Sequence, residues 1–218
     1  MTTSVRLPRR TCAFERQDVG IYDSYSEVLV EQAPDINGQM RWGIQIVTNG
    51  LPLEGTAVCI PGNPVSSGRW STGMAEVNLG STSGGSRCFL SGIQNVSGFT
   101  SDSDFVQVHT VASGFPLRST HWSLGGSMAS GGSTTASAVC VDTAGAAADF
   151  GIGVGDGGSI LNAVMQTGGG WACGLKKLGG HFTVNDYNNG LWISYSDSPA
   201  EWEVNGVDGK QATIGCVF

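Results

Sequence analysis

Long apolar runs, histidine and charge are all scarce in this sequence of 218 residues. No stretch approaches the roughly 18 consecutive apolar residues that a membrane-crossing helix needs, so no membrane span is expected. Only 13% of residues are charged, and the formal net charge is −7. Four of the eleven basic residues, Arg6, Arg9, Arg10 and Arg16, crowd the N-terminus, which leaves the rest of the surface acidic. A protein that tracks phosphates needs a broad basic face, so nucleic acid is not an expected partner. The opening "MTTSVRLPRRTCAFE" lacks the apolar core of a secretory signal. Either a leader has been removed or that route is not used.

Recognisable catalytic motifs are missing too. The three histidines, His109, His121 and His181, are scattered, and no HExxH, P-loop or dinucleotide fingerprint occurs. "LGGSMASGG" (124–132) resembles a Gly-x-Ser-x-Gly elbow only superficially. Zinc is disfavoured because no short C-x-x-C spacing is present. A Ser-His-Asp set assembles in space rather than along the chain, so spacing alone leaves that arrangement open.

Glycine and cysteine are what the chain does have. Thirty-four glycines, with few runs of helix-forming residues, argue for short strands and many turns. Only "SILNAVMQT" (159–167) has a helix-like composition, and it is short enough to be a strand pair instead. A hydrophobic content of 40% in a chain of this length suffices for a real core.

The six cysteines follow one scheme. "TASAVCV" (135–141) has near-copies at "GTAVCI" (55–60) and "ATIGCV" (212–217), each preceded by a tryptophan and, further upstream, by another cysteine. The order is Cys12…Trp42…Cys59, then Cys88…Trp122…Cys140, then Cys173…Trp202…Cys216. Cysteine and tryptophan are 30, 34 and 29 residues apart, and tryptophan and second cysteine 17, 18 and 14. Internal repetition of this length points to three large β units rather than a solenoid. The expected boundaries are 1–65, 66–145 and 146–218. Gly/Ser/Ala-rich connectors, "SSGRWSTGMAEVNLGSTSGGSR" (66–87) and "AAADFGIGVGDGGSILNAVMQTGGGWA" (146–172), lead into the second and third units. "TTSVRLPRR" (2–10) is the counterpart expected to close a ring.

The fold class is therefore all-β: three pseudo-equivalent units of about 75–85 residues, four short strands each, in one compact body. In the second unit the strands are expected at 87–93, 104–110, 120–126 and 135–141, with turn-rich segments between them. Six cysteines permit fifteen pairings, and the repeat selects Cys12–Cys59, Cys88–Cys140 and Cys173–Cys216. A bridge needs Cα atoms within about 7 Å, whereas the ends of a flat four-strand meander lie about 14 Å apart. Each unit is thus expected to curl.

Trp42, Trp122 and Trp202, each followed by an alternating aliphatic residue, read as core. Trp70, Trp171 and Trp192 lie outside that slot and are the tryptophans available to a sugar-binding surface. One polar feature repeats: Asp23, Asp102 and Asp186 stand in loops after the first strand of each unit, with Tyr22, Tyr25 and Tyr187 beside them. Aspartates favour turns because their side chains satisfy local backbone groups. As a threefold set they are also candidate ligands for Ca²⁺ or for glycan hydroxyls, and tyrosine adds an apolar face with a polar tip. "NVS" (95–97) is a glycosylation sequon, meaningful only in a eukaryotic secretory host.

"CFLSGIQNVSGF" (88–99) with the later "HWSLGG" (121–126) and "ASAVCV" (136–141) resembles the Cys/Trp β-repeats of phage tail-fibre and other virion surface proteins and of secreted bacterial proteins. The likeness covers all three units, the third in eroded form. It implies a non-enzymatic appendage protein, virion-borne or extracellular, that presents a binding or assembly surface. Its expected partners are other appendage subunits or host-surface glycan, met as a homo-oligomer. A secreted lectin-like module is the alternative, and an extracellular hydrolase the third reading.

Overall fold

The computed structural model describes residues 10–19, 27–34, 36–47, 53–94, 99–114, 119–143, 145–153, 161–166, 171–182, 191–197, 200–206 and 210–218. Among them there is no helix. The strands are β1 (Arg10–Val19), β2 (Glu27–Pro34), β3 (Met40–Val47), β4 (Leu53–Pro61), β5 (Asn63–Ser71), β6 (Val77–Ser81), β7 (Ser86–Gln94) and β8 (Phe105–Ser113). They continue as β9 (Ser119–Ser127), β10 (Thr135–Asp142), β11 (Ala147–Ile152), β12 (Leu161–Gln166), β13 (Ala172–Gly180), β14 (Leu191–Asp197), β15 (Ala200–Gly206) and β16 (Lys210–Val217). They form three antiparallel sheets, ordered β12-β15-β14-β1-β4, β3-β2-β7-β10-β5 and β11-β16-β13-β8-β9-β6.

The strands that carry cysteine are immediate neighbours, not the two ends of a curled meander. β1 pairs with β4, β7 with β10 and β13 with β16, and in register Cys12 faces Cys59, Cys88 faces Cys140 and Cys173 faces Cys216. Cys88–Cys140 and Cys173–Cys216 are disulfides. Cys59 is disulfide-bonded as well. Each of these three ladders is broken at the same offset: the register skips Glu15, Ser91 and Lys176, the third residue after the first cysteine. A bulge bends its strand and sharpens the local twist. Beyond it each first strand keeps its partner and gains a second neighbour on its other side.

The neighbour is a hairpin from elsewhere in the sequence. Hairpins β2–β3, β8–β9 and β14–β15 form locally. They attach not to the cysteine strand that precedes them but to another: β2 to β7, β8 to β13 and β14 to β1. Each attachment covers only two or three residue pairs, after which hairpin and sheet splay apart.

The connectors are built into the sheets, which their composition did not announce. β5 lies along β10, β6 along β9, β11 along β16 and β12 along β15. The Leu161–Gln166 part of "SILNAVMQT" is thus strand, not helix. Small residues permit the close approach: a Cβ on Gly68 of β5 would stand 2.6 Å from Leu79 Cδ2 of β6. At Gly80 a positive φ of 108° lets β6 shift register, a conformation that L side chains rarely adopt.

Alternation decides which side of each strand is buried. Val106 and Val108 of β8 are buried while Gln107 and His109, which alternate with them, are half-exposed. Val28, Val30, Leu90, Ile93, Leu175, Leu178, Ile193 and Val204 join them in one core that draws on all three sheets. Ile60, Val141 and Val217, each following the second cysteine of its strand pair, are buried in a second cluster with Phe89 and Val139. That cluster ties β4, β10 and β16 together.

Candidate functional site

A cleft of about 600 Å³ opens where the β2–β3 hairpin splays from its sheet. Trp42 forms one wall, β5 the other, and Ser91 the floor, with Glu31, Ser67 and Arg69 at its sides. Trp42 is half-buried and Glu31 exposed, and the Arg69 guanidinium donates to Gln94 Oε1 at 2.5 Å.

The reason for the opening is visible in the neighbouring sheet. There the bulge residue is Lys176, whose buried side chain lies 4.7 Å from the Trp122 ring centroid and 2.5 Å from Asp149 Oδ2. Cation–π attraction and the ion pair offset the cost of burying the ammonium. Trp42 stands where Trp122 stands in its hairpin, Ser91 occupies the bulge as Lys176 does, and Ser67 faces the residue before Cys140 as Asp149 faces the residue before Cys216. Two serines in place of a lysine and an aspartate leave that space open. A tryptophan wall, hydroxyls and a few fixed charges are the furniture of a polar ligand site.

On the edge of the same sheet, β3 shows an apolar face. Val28 and Val30 face Ile46 and Ile44 across β2 and β3, yet the valines are buried and the isoleucines 39% and 42% exposed. The residues in the place of Ile44 in the other two hairpins, Leu124 and Val204, are fully buried. β6 lies outside β9 and β12 outside β15, whereas among the described residues no strand lies outside β3.

Of the aspartates and tyrosines singled out in the sequence, Asp102 alone is described. It is exposed on a turn, and its backbone carbonyl accepts a hydrogen bond from Gln211 Nε2 at 3.1 Å. Asp23, Asp186, Tyr22, Tyr25 and Tyr187 lie outside the described residues. No group of three His, Cys, Asp or Glu side chains suited to a metal ion occurs among the described residues. The tryptophan assignments divide differently from expectation. Trp122 and Trp202 are buried, and their indoles donate to the carbonyls of Ser86 and Trp171, each two residues before a first cysteine. Trp42 is only half-buried, and among the described residues no strand lies outside its own. Trp70 is not a surface residue: it is 3% exposed and donates to the Met74 carbonyl. Trp171 is half-buried against Phe218, and the Trp192 side chain lies outside the described ones.

Asp104, two residues from the aspartate singled out, holds more of the structure. It is fully buried, and its carboxylate accepts from the Thr100 and Ser101 amides at 2.9 and 2.8 Å and from the Ser130 amide and hydroxyl at 3.1 and 2.6 Å. Burial alone raises the carboxyl's pKa, but the bonds from Ser130, Thr100 and Ser101 outweigh it and hold the group below the usual aspartate value. Its backbone carbonyl meanwhile accepts from Gly180 in β13. Asp104 therefore pins two turns to a strand from a distant part of the chain. Its four-donor cage is complete without a ligand.

Glu76, His109 and Ser123 form the one carboxylate–imidazole–hydroxyl group among the described residues. His109 Nε2 lies 3.0 Å from both Glu76 oxygens, and the buried Ser123 hydroxyl donates to Glu76 Oε2 at 2.8 Å. Both partners thus converge on the carboxylate. A serine nucleophile needs its hydroxyl on the imidazole and the carboxylate behind the ring, and here the serine is bonded to the wrong member.

The chain matches no family model, no curated protein and no solved structure.

Proposed function

We propose that this chain is a non-enzymatic appendage protein of a virion or cell surface, built as a ring of three pseudo-equivalent units and displaying a glycan-binding cleft beside an assembly edge. Three features favour the three-unit reading: cysteines opposed in register in β1/β4, β7/β10 and β13/β16, bulges at one common offset, and hairpins that each hand on to the next cysteine pair. Disulfides suit an oxidising setting outside the cytosol.

The single observation that carries the binding role is the exchange of Lys176 and Asp149 for Ser91 and Ser67. A site that Lys176 narrows in one sheet, where about 280 Å³ remains beside Trp122 and Asp149, is about 600 Å³ in another, with its tryptophan half-buried. Serine hydroxyls, Glu31 and Arg69 supply donors and acceptors for sugar hydroxyls, and the Trp42 ring supplies the apolar face against which a pyranose stacks. The exposed isoleucines of β3 fit a subunit contact, because apolar faces of this kind mark interaction sites. Several copies held together would raise avidity without new contacts. The same cleft equally suits a secreted lectin-like module; electron microscopy of the native source distinguishes the two.

Glycan-array binding with Ser91→Lys tests the reading, since a lysine there fills the cleft as Lys176 fills its own. Loss of binding is the expected result, and it should persist with a near-parental melting temperature when Ser67→Asp is added to supply the carboxylate that Asp149 gives Lys176. Binding that survives both Ser91→Lys and Trp42→Ala moves the site elsewhere. Hydrolytic turnover abolished by a single histidine, serine or carboxylate substitution would overturn the non-enzymatic role.

A further inference from the structure

Ser91, at the floor of the cleft, is 6% exposed, and its hydroxyl has no hydrogen-bond partner among the described residues. Asp104, Ser123, Thr143, Lys176, Asn205 and Lys210, buried like it, each bond through the side chain to a carboxylate, hydroxyl, amide or carbonyl. Buried polar groups in folded proteins are paired, and an exception calls for an explanation. Because Ser91 lines the cleft, the partner that completes its hydroxyl reaches it through the cleft.

The surroundings limit what that partner can be. The other buried residues lining the cleft, Val30, Ala138 and Val139, are apolar, while its two charges, Glu31 and Arg69, are exposed and opposite in sign. A charged group at the floor would give up its water for one hydroxyl. In the neighbouring sheet the Lys176 ammonium is met by Asp149, but here Ser67 stands in the aspartate's place. A methyl group would instead displace water from Ser91 and make no bond in return. A neutral hydroxyl on a short arm meets both conditions, because serine and an alcohol can each donate and accept.

We infer that the cleft selects a neutral hexopyranose and takes its exocyclic hydroxymethyl arm down to the Ser91 hydroxyl, with the ring against Trp42 and the ring hydroxyls at Glu31 and Arg69. The inference rests on the glycan reading of the cleft and adds which part of the sugar is read. An analogue whose arm ends in methyl leaves a buried hydroxyl unpaired, and one whose arm ends in carboxylate buries a charge. Sites that hydrogen-bond a substrate hydroxyl discriminate strongly against analogues that lack it.

The test is an NMR titration of the full, oxidised chain with the methyl glycosides of glucose, galactose and mannose, each beside the analogues whose arm ends in methyl or in carboxylate. The parent chain should bind at least one hexoside about tenfold more tightly than either analogue. Ser91→Ala should lose the preference for that hexoside over its methyl analogue. Without sugar, Ser91→Ala should melt no lower than the parent, since the hydroxyl it removes has no partner to lose. A lower melting temperature would show that the chain already satisfies the serine, and would overturn the inference. So would a Trp42-dependent site that binds hexoside and methyl analogue alike or prefers the carboxylate, although the glycan reading survives either result. Binding that Trp42→Ala leaves unchanged, or no binding by any of these sugars, brings down both.

Discussion

Cys88 stands directly opposite Cys140 in the register of β7 and β10, and the two are bonded across 52 residues of sequence. The bridge joins neighbours that the ladder already holds together. Its effect therefore falls mainly on the unfolded chain, whose freedom it removes. Replacing Cys140 with Ala should lower stability by about 4 kcal/mol on the chain-entropy estimate for such a loop. Urea denaturation of the oxidised variant checks this, and a loss under about 1 kcal/mol would mean that the denatured chain is already compact there.

Peptide mapping under non-reducing conditions addresses the pairing as a whole. Cys88–Cys140 and Cys173–Cys216 fragments should appear, and the register of β1 with β4 leads to a Cys12–Cys59 fragment. A Cys59–Cys88 or Cys140–Cys173 fragment would contradict the sheet order.

Trp122→Ala should cost about 3–5 kcal/mol, the usual range for removing a buried aromatic side chain. Trp42→Ala should cost clearly less, about 1–2 kcal/mol, because that side chain is only partly buried and the area removed from solvent is smaller. Thermal denaturation of both variants decides it. Equal losses would show that β3 is covered in solution by something beyond the described residues.

Asp104 makes stability depend on acid. Its carboxyl titrates lower in the folded chain than the roughly 3.9 of an unfolded aspartate. The stability it contributes is then fully present above the unfolded value and is lost as pH falls through the folded one. Asp104→Asn should cost about 1–3 kcal/mol at neutral pH by leaving buried amide donors poorly matched. It should also flatten the acid limb of the stability profile below about pH 5. An unchanged acid limb would assign that slope to other carboxylates.

Ser123→Ala should leave Glu76 held by His109 and cost about 0.5–1.5 kcal/mol, the worth of one hydrogen bond. An ester-hydrolysis assay on the parent chain should show no turnover that this substitution removes. A serine-dependent rate would mean that Glu76 and His109 rearrange when substrate binds.

The cysteine pairs and most strand positions are legible in the sequence because both are local or repeated signals. Val106 and Val108 alternate with Gln107 and His109, and the string around Cys140 recurs around Cys59 and Cys216. Other features leave no such mark. β5 and β11 are written in serine, glycine and alanine, whose strand character comes from fitting against β10 and β16 rather than from apolar periodicity. Trp70 reads as a surface aromatic because nothing near it in sequence reveals that Gly126, whose missing side chain leaves room, admits its ring: a Cβ there would lie 3.1 Å from the indole. The contrast of Ser91 with Lys176 is present at one offset from each first cysteine, and aligning the repeats residue by residue exposes it.

The sequence by itself determined an all-β chain and two of its disulfide partnerships, since alternation and cysteine spacing are properties of short segments. Only the tertiary structure decided that β2 joins β7, β8 joins β13 and β14 joins β1, that the connector strands β5, β6, β11 and β12 take four of the sheet edges, and that a cleft stays open at Trp42. Period-two alternation states which face of a strand is buried, but main-chain hydrogen bonds are alike along every edge. The choice of neighbour therefore belongs to side-chain packing between segments far apart in the chain, where a serine in place of a lysine leaves a cavity that no local pattern records.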